Sequence, residues 1–117
     1  MATRGTIGYE TKEGGYVGVY LHYDAYPENV APFLESMTYD KVVEMVATAL
    51  CETGLRQVNC GGRRGYETFA DNGPIQPDLE WPRCPEEWAY RKRLDGEVEI
   101  CTWNDLTPFI RGKPSRG

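Results

Sequence analysis

Two runs near the start of the chain, Thr3 to Thr11 and Tyr16 to Asp24, are rich in β-branched and aromatic residues, and this pattern predicts strands. Lys12-Glu13-Gly14-Gly15 between them has the composition of a hairpin turn. A three-residue loop, Glu13 to Gly15, pairs Ile7 with Leu21, Tyr9 with Val19 and Thr11 with Val17, which gathers the apolar side chains on one face. A two-residue loop sets Thr6, Gly8 and Glu10 against that apolar row, so the three-residue register is preferred. The opposite face then pairs Arg4 with Asp24, Thr6 with His22 and Gly8 with Tyr20.

The period changes after Tyr26. Pro27 suits the first position of a helix, Glu28 suits its positive end, and Val30, Phe33, Leu34 and Met37 recur at helical spacing. The spacing predicts a short helix over 27–37 despite Pro32. Thr38 is placed to cap a second helix, Val42, Val43, Met45, Val46, Ala49 and Leu50 form its apolar side, and Gly54 stops it. Methionines and Phe33 at this spacing read as core.

From Gly61 the texture is GGRRGYETF and then the proline-rich GPIQPDLEWPRCPEE, an extended Gly/Pro-rich loop region over about 61–86. Beyond it, Glu87 to Arg93 and Glu97 to Trp103 flank Leu94-Asp95-Gly96, a second hairpin signal. The expected fold is a single α+β domain, a four-stranded antiparallel sheet built from two hairpins with two helices on one face, ending in a frayed basic tail over about 111–117.

Composition narrows the functional classes. A chain of 117 residues that is 40% hydrophobic supports one modest core. No stretch approaches a membrane span, and MATRGTIGYE lacks the pattern of a secretion signal, so a soluble intracellular protein is expected. The net charge of −5 disfavours a general nucleic-acid binder. Residues 1–54 carry 3 basic and 8 acidic side chains, whereas residues 55–117 carry 10 of each. The later basic residues are bunched (Arg63-Arg64, Arg91-Lys92-Arg93, then Arg111, Lys113 and Arg116), so a local anion site is compatible with an acidic whole. Cys51, Cys60, Cys84 and Cys101 form no C-x-x-C pair and read as free thiols more readily than as bridges or a zinc site. No cofactor is expected.

Candidate chemistry concentrates in YLHYDAYPEN, which holds the only histidine. In the preferred register, His22 and Asp24 share a face with Arg4, Thr6 and the Tyr20 ring, and opposed side chains about 4.5–5.5 Å apart at Cβ would let Arg4 and Asp24 pair. Two readings fit: a cross-strand salt bridge beneath another element, or the floor of a polar pocket with a stacking surface. In GGRRG, Arg63 and Arg64 with glycine N–H groups can face a phosphate, and Tyr66 or Phe69 can stack on a base. The loop lacks the Gly-Lys-Ser/Thr of a P-loop, and a plain surface loop is the competing reading.

The start MATRGTIGYETKEGGYVGVYLHYDAYPENV resembles a group of small bacteriophage and prophage proteins that begin with a Met-Ala/Ser-Thr-Arg strand and continue through Gly-x-Tyr-x-His-Trp/Tyr-Asp-Gly/Ala-Tyr-Pro-Glu. The resemblance covers about the first 35 residues, with a looser likeness at Glu86 to Tyr90. It implies a phage accessory protein in the cytoplasm of the infected bacterium and carries no activity to transfer.

Three classes of function follow. A counter-defence protein that sequesters a small anionic ligand, such as a nucleotide immune signal, needs arginines, aromatics and an enclosed site, often completed in a homo-oligomer. Arg4, Thr6, Tyr20, His22, Asp24, Arg63, Arg64 and Tyr66 are the candidate ligand residues. The alternative is a protein inhibitor of a host defence effector such as a CRISPR nuclease, acting through Glu28, Glu35, Asp40, Glu44 and Glu52. An enzyme is the least favoured, because His22 and Asp24 have no matching nucleophile or metal cluster in the sequence. The expectation is a non-enzymatic ligand-binding protein.

Overall fold

The computed structural model describes residues 3–52, 54–59, 65–68, 75–79, 81, 82 and 84–111. Strand β1 (Gly5–Glu10) pairs antiparallel with β2 (Tyr16–Leu21), with Thr6 opposite Tyr20, Ile7 opposite Val19 and Gly8 opposite Gly18. This register differs from the expected one by two residues. The loop is Thr11–Gly15, closed by Thr11 Oγ1 accepting from Gly15 N at 2.9 Å, with Gly14 at φ +84°. Facing Gly8 and Gly18 leaves room for the Tyr16 ring, because a Cβ on either would lie 2.6 Å from a Tyr16 ring carbon. A shift of two preserves the faces, so Ile7, Val19 and Leu21 still enter the core.

Helices α1 (Pro27–Glu35) and α2 (Tyr39–Glu52) follow, near their expected places. Thr38 Oγ1 accepts from Lys41 N at 3.2 Å, which caps α2, and Gly54 N donates to Ala49 O at 2.9 Å where the helix ends. Val30 and Leu34 of α1 and Val42, Met45 and Val46 of α2 bury against Ile7, Val19, Leu21, Tyr90 and Ile100 of the sheet.

The four-stranded antiparallel sheet of two hairpins is not what forms. The remaining strands are β3 (Leu55–Val58), β4 (Tyr66–Thr68), β5 (Ile75–Leu79), β6 (Trp88–Lys92), β7 (Val98–Thr102) and β8 (Asp105–Ile110). The sheet runs β4-β3-β2-β1-β6-β7-β8, with β5 also pairing β2, and it is mixed. β1 pairs β6 in parallel, and β2 meets β3 in parallel at Leu21 and Leu55. Parallel neighbours need a crossover, and α1 with α2 is the crossover from β2 to β3. β4 and β5 also lie within the stretch expected as a loop region.

Two cations of the Arg91-Lys92-Arg93 bunch are internal. Lys92 faces the helices, and its Nζ donates to Leu34 O at 2.9 Å near the negative end of α1. Burial pushes its pKa below the ordinary lysine value. Arg91 faces the other way.

Candidate functional site

The face of the sheet away from the helices has a filled middle. Tyr16 lies across Gly8 and Gly18 with no exposed surface, and its hydroxyl donates to Thr6 Oγ1 at 3.0 Å. The Trp81 ring packs on it at 4.9 Å between centroids, and the Arg91 guanidinium sits 5.2 Å from the Trp81 ring centroid. Arg91 Nε and Nη2 donate to Glu99 Oε1 at 2.9 and 2.6 Å, while Nη1 donates to the Gly14 and Gly15 carbonyls at 2.8 and 3.1 Å. The turn of the first hairpin is thereby tied to the second. Burial drives the Tyr16 pKa well above the ordinary phenol value, and the same cause acts on Tyr90, whose hydroxyl donates to Ala25 O.

At the β3 end of this face the packing opens. Ala25 N donates to Thr3 O at 3.0 Å while Gly5 pairs Leu21, so Leu21–Ala25 bulges against the shorter Thr3–Gly5. The displaced residues lean toward β3: His22 N donates to Leu55 O and Tyr23 N to Arg56 O, both at 3.0 Å. The bulge ends at Asp24, whose φ of +54° lies in the left-handed region that aspartate tolerates. Asn29 Nδ2 holds the Asp24 carbonyl at 2.9 Å.

The side chains around this bulge form a cationic and aromatic patch. Tyr20, 6% exposed, is hydrogen bonded through its hydroxyl to His22 Nδ1 at 2.7 Å. The His22 ring stands edge-on to Tyr23 with centroids 4.4 Å apart, and Arg56 Cζ lies 5.8 Å from the centroid of the Tyr23 ring. Arg4, exposed, lies across the bulge on the β1 side.

The charge pairing around the molecule singles out this patch. Arg91 bonds Glu99, Arg93 pairs Asp95 at 2.8 Å, Arg111 pairs Glu35 at 2.7 Å and Lys41 pairs Glu44 at 3.6 Å. Among the described residues, the arginines without a carboxylate partner are Arg4 and Arg56, which flank the bulge from either side.

The structure brings Tyr20 and His22 together with Arg4 nearby and separates the other expected site residues. Thr6 lies opposite Tyr20 but is fully buried and bonded to Tyr16, and Asp24 has left the strand, so Arg4 and Asp24 form no ion pair. The shorter register assumed for the hairpin is the reason. Tyr66 lies on β4 and packs against the helix-side core. Arg63 and Arg64 lie outside the described residues. Arg56 was absent from the expected set, since nothing local in Leu55-Arg56-Gln57-Val58 marks it and only the β2–α1–α2–β3 crossover brings it to Tyr23.

Tyr66 instead lines a groove of about 500 Å³ with Ser36, Met37, Thr38, Lys41 and Glu44. Its size suits a ligand. Its polar groups are already engaged: Lys41 pairs Glu44, Ser36 Oγ donates to Phe33 O at 2.8 Å, and Thr48 Oγ1 donates to Glu44 O at 3.0 Å. Among the described residues it therefore offers no uncommitted positive charge to an anion. Among the described residues no three His, Cys, Asp or Glu side chains converge as a metal-binding group, and no helix is long and apolar enough to cross a membrane. No protein family, curated protein or solved structure matches this chain.

Proposed function

We propose that this chain is a non-catalytic, phage-encoded counter-defence protein that sequesters a small anionic ligand with an aromatic ring, of the nucleotide class, at the bulge between β1 and β3. The observation that carries this reading is the pair of arginines, Arg4 and Arg56, without carboxylate partners among the described residues on either side of His22 and Tyr23. Guanidinium groups match phosphate by paired hydrogen bonds, and an aromatic face beside them accepts a base. Tyr20 acts from below by holding the His22 ring. The ligand meets a local positive patch on a protein of net charge −5, so long polyanions are disfavoured while a single nucleotide is not. A second subunit completing the enclosure belongs to the same proposal.

The test is a thermal-shift screen against cyclic di- and trinucleotides and cyclic ADP-ribose isomers, followed by heat release and chromatography of each hit. A ligand at about 100 times its dissociation constant adds roughly 2.7 kcal/mol to stability. A shift with the ligand returned intact is the expected result. A ligand returned altered overturns the non-catalytic reading, and a panel without any shift overturns the nucleotide reading and leaves the protein-inhibitor alternative to a pull-down from host lysate.

A further inference from the structure

Two of the cysteines meet on the filled face. Cys101 lies on β7 opposite Ala89, one residue along from the core-facing Ile100, and is fully buried on the side away from the helices. Cys84, three positions after Trp81 in the sequence, is half-buried. Its thiol donates to Glu86 O at 3.2 Å and lies 3.8 Å from Cys101 O. Cys51, by contrast, is exposed on α2.

We propose that Cys84 and Cys101 are a dithiol modification site, which closes to an intramolecular disulfide by exchange with a low-molecular-weight disulfide such as oxidised glutathione and fixes the Trp81–Glu86 segment to β7. The exposure of the two sulfurs sets the order of events. The Cys84 thiolate attacks one glutathione sulfur, and the other leaves as a thiolate that takes up a proton. Cys101 then loses its proton and attacks Cys84 Sγ, which expels the second glutathione thiol. The protein loses two hydrogens and one oxidised glutathione becomes two reduced molecules. Closure brings the Cys84 sulfur, now 3.8 Å from the Cys101 carbonyl oxygen, to about 2.05 Å from the Cys101 sulfur.

The pKa of Cys84 supports this order, since the hydrogen bond from Cys101 holds it below the ordinary thiol value. Before closure the segment is held by ring contacts, Trp81 against Tyr16 and Arg91. After closure a covalent link joins positions 84 and 101, and a crosslink of this span constrains the unfolded chain.

The experiment incubates the full chain with oxidised glutathione, blocks remaining thiols with iodoacetamide and maps peptides by mass. The expected product has lost two hydrogens, contains a peptide joining Cys84 to Cys101, leaves Cys51 alkylated and melts several degrees higher than the reduced protein. Cys84→Ser abolishes the link, whereas Cys101→Ser retains one glutathione on Cys84 because the second step is missing. If Cys84 and Cys101 are both alkylated after oxidation, or if the only disulfides found involve Cys51 or Cys60, the proposal is overturned. Mapping of the wild-type chain decides this even where Cys101→Ser fails to fold.

Discussion

The middle and the β3 end of the helix-free face are built from similar residues and do different things. In the middle, Tyr16 bonds Thr6 and Arg91 bonds Glu99, while the Trp81 ring packs on Tyr16 and Arg91. At the β3 end, Tyr20, His22, Tyr23, Arg4 and Arg56 present the same kinds of group, yet neither arginine has a carboxylate partner among the described residues. An arginine with its acid alongside is structural, while an arginine beside an aromatic ring without one is available to a ligand. The difference rests on glycine: Gly8 and Gly18 admit the Tyr16 ring into the middle, and the bulge at 22–24 pushes the other end outward.

Removing the filled middle has the largest expected effect. Tyr16→Ala should cost about 3–5 kcal/mol in urea unfolding, as deletion of a buried aromatic does. Gly8→Ala should cost about 3 kcal/mol, because its Cβ would lie 2.0 Å from the Val17 carbonyl oxygen as well as against Tyr16. In a Tyr16→Ala background the Gly18→Ala penalty should shrink, since its nearest contacts are all Tyr16 ring atoms and the hydroxyl. An undiminished penalty would show that the glycines serve something other than the ring.

High pH gives a smaller effect with a definite sign. The folded-state pKa values of Tyr16 and Tyr90 are raised by burial, so their contribution is whole below the ordinary tyrosine value near 10 and is lost as pH climbs beyond it. Each should weaken folding by on the order of 1 kcal/mol per pH unit there. Lys92 works in the opposite direction, because its lowered folded pKa makes the unfolded chain bind more protons, so its penalty eases as pH rises toward the ordinary lysine value. With two tyrosines against one lysine, stability should fall above pH 10. Absorbance at 295 nm should show these two phenols ionising only with unfolding.

The open end is expected to contribute least to folding. Arg56→Ala and Arg4→Ala should each change stability by less than about 0.5 kcal/mol, in keeping with exposed side chains that have no ion pair among the described residues. A loss as large as that of Tyr16→Ala would erase the contrast between the two regions.

Much of this organisation was legible in the sequence, and what was not has a physical reason. Alternation fixed which hairpin residues face the helices, since Ile7, Val19 and Leu21 keep their face under a slip of two; the same invariance hid the true partners, because three- and five-residue loops fit the pattern equally. Pro27, Thr38 and Gly54 marked the helices through local capping. The parallel pairings of β1 with β6 and β2 with β3 were invisible, because they join distant segments without a turn between them. Of the candidate site, Arg4, Tyr20 and His22 were visible as neighbours on one strand face, whereas Arg56 is recruited only by the crossover.

The most direct measurement is a paired melt of the wild-type chain and the Arg4→Ala/Arg56→Ala double variant, each alone and with the panel of cyclic nucleotides. At least one nucleotide should raise the wild-type Tm by about 4 °C or more at saturating concentration and leave the double variant unmoved, while the two proteins melt within about 2 °C of each other without ligand. A nucleotide shift that survives in the double variant, or a panel that moves neither protein, would contradict the assignment of the ligand to the open end.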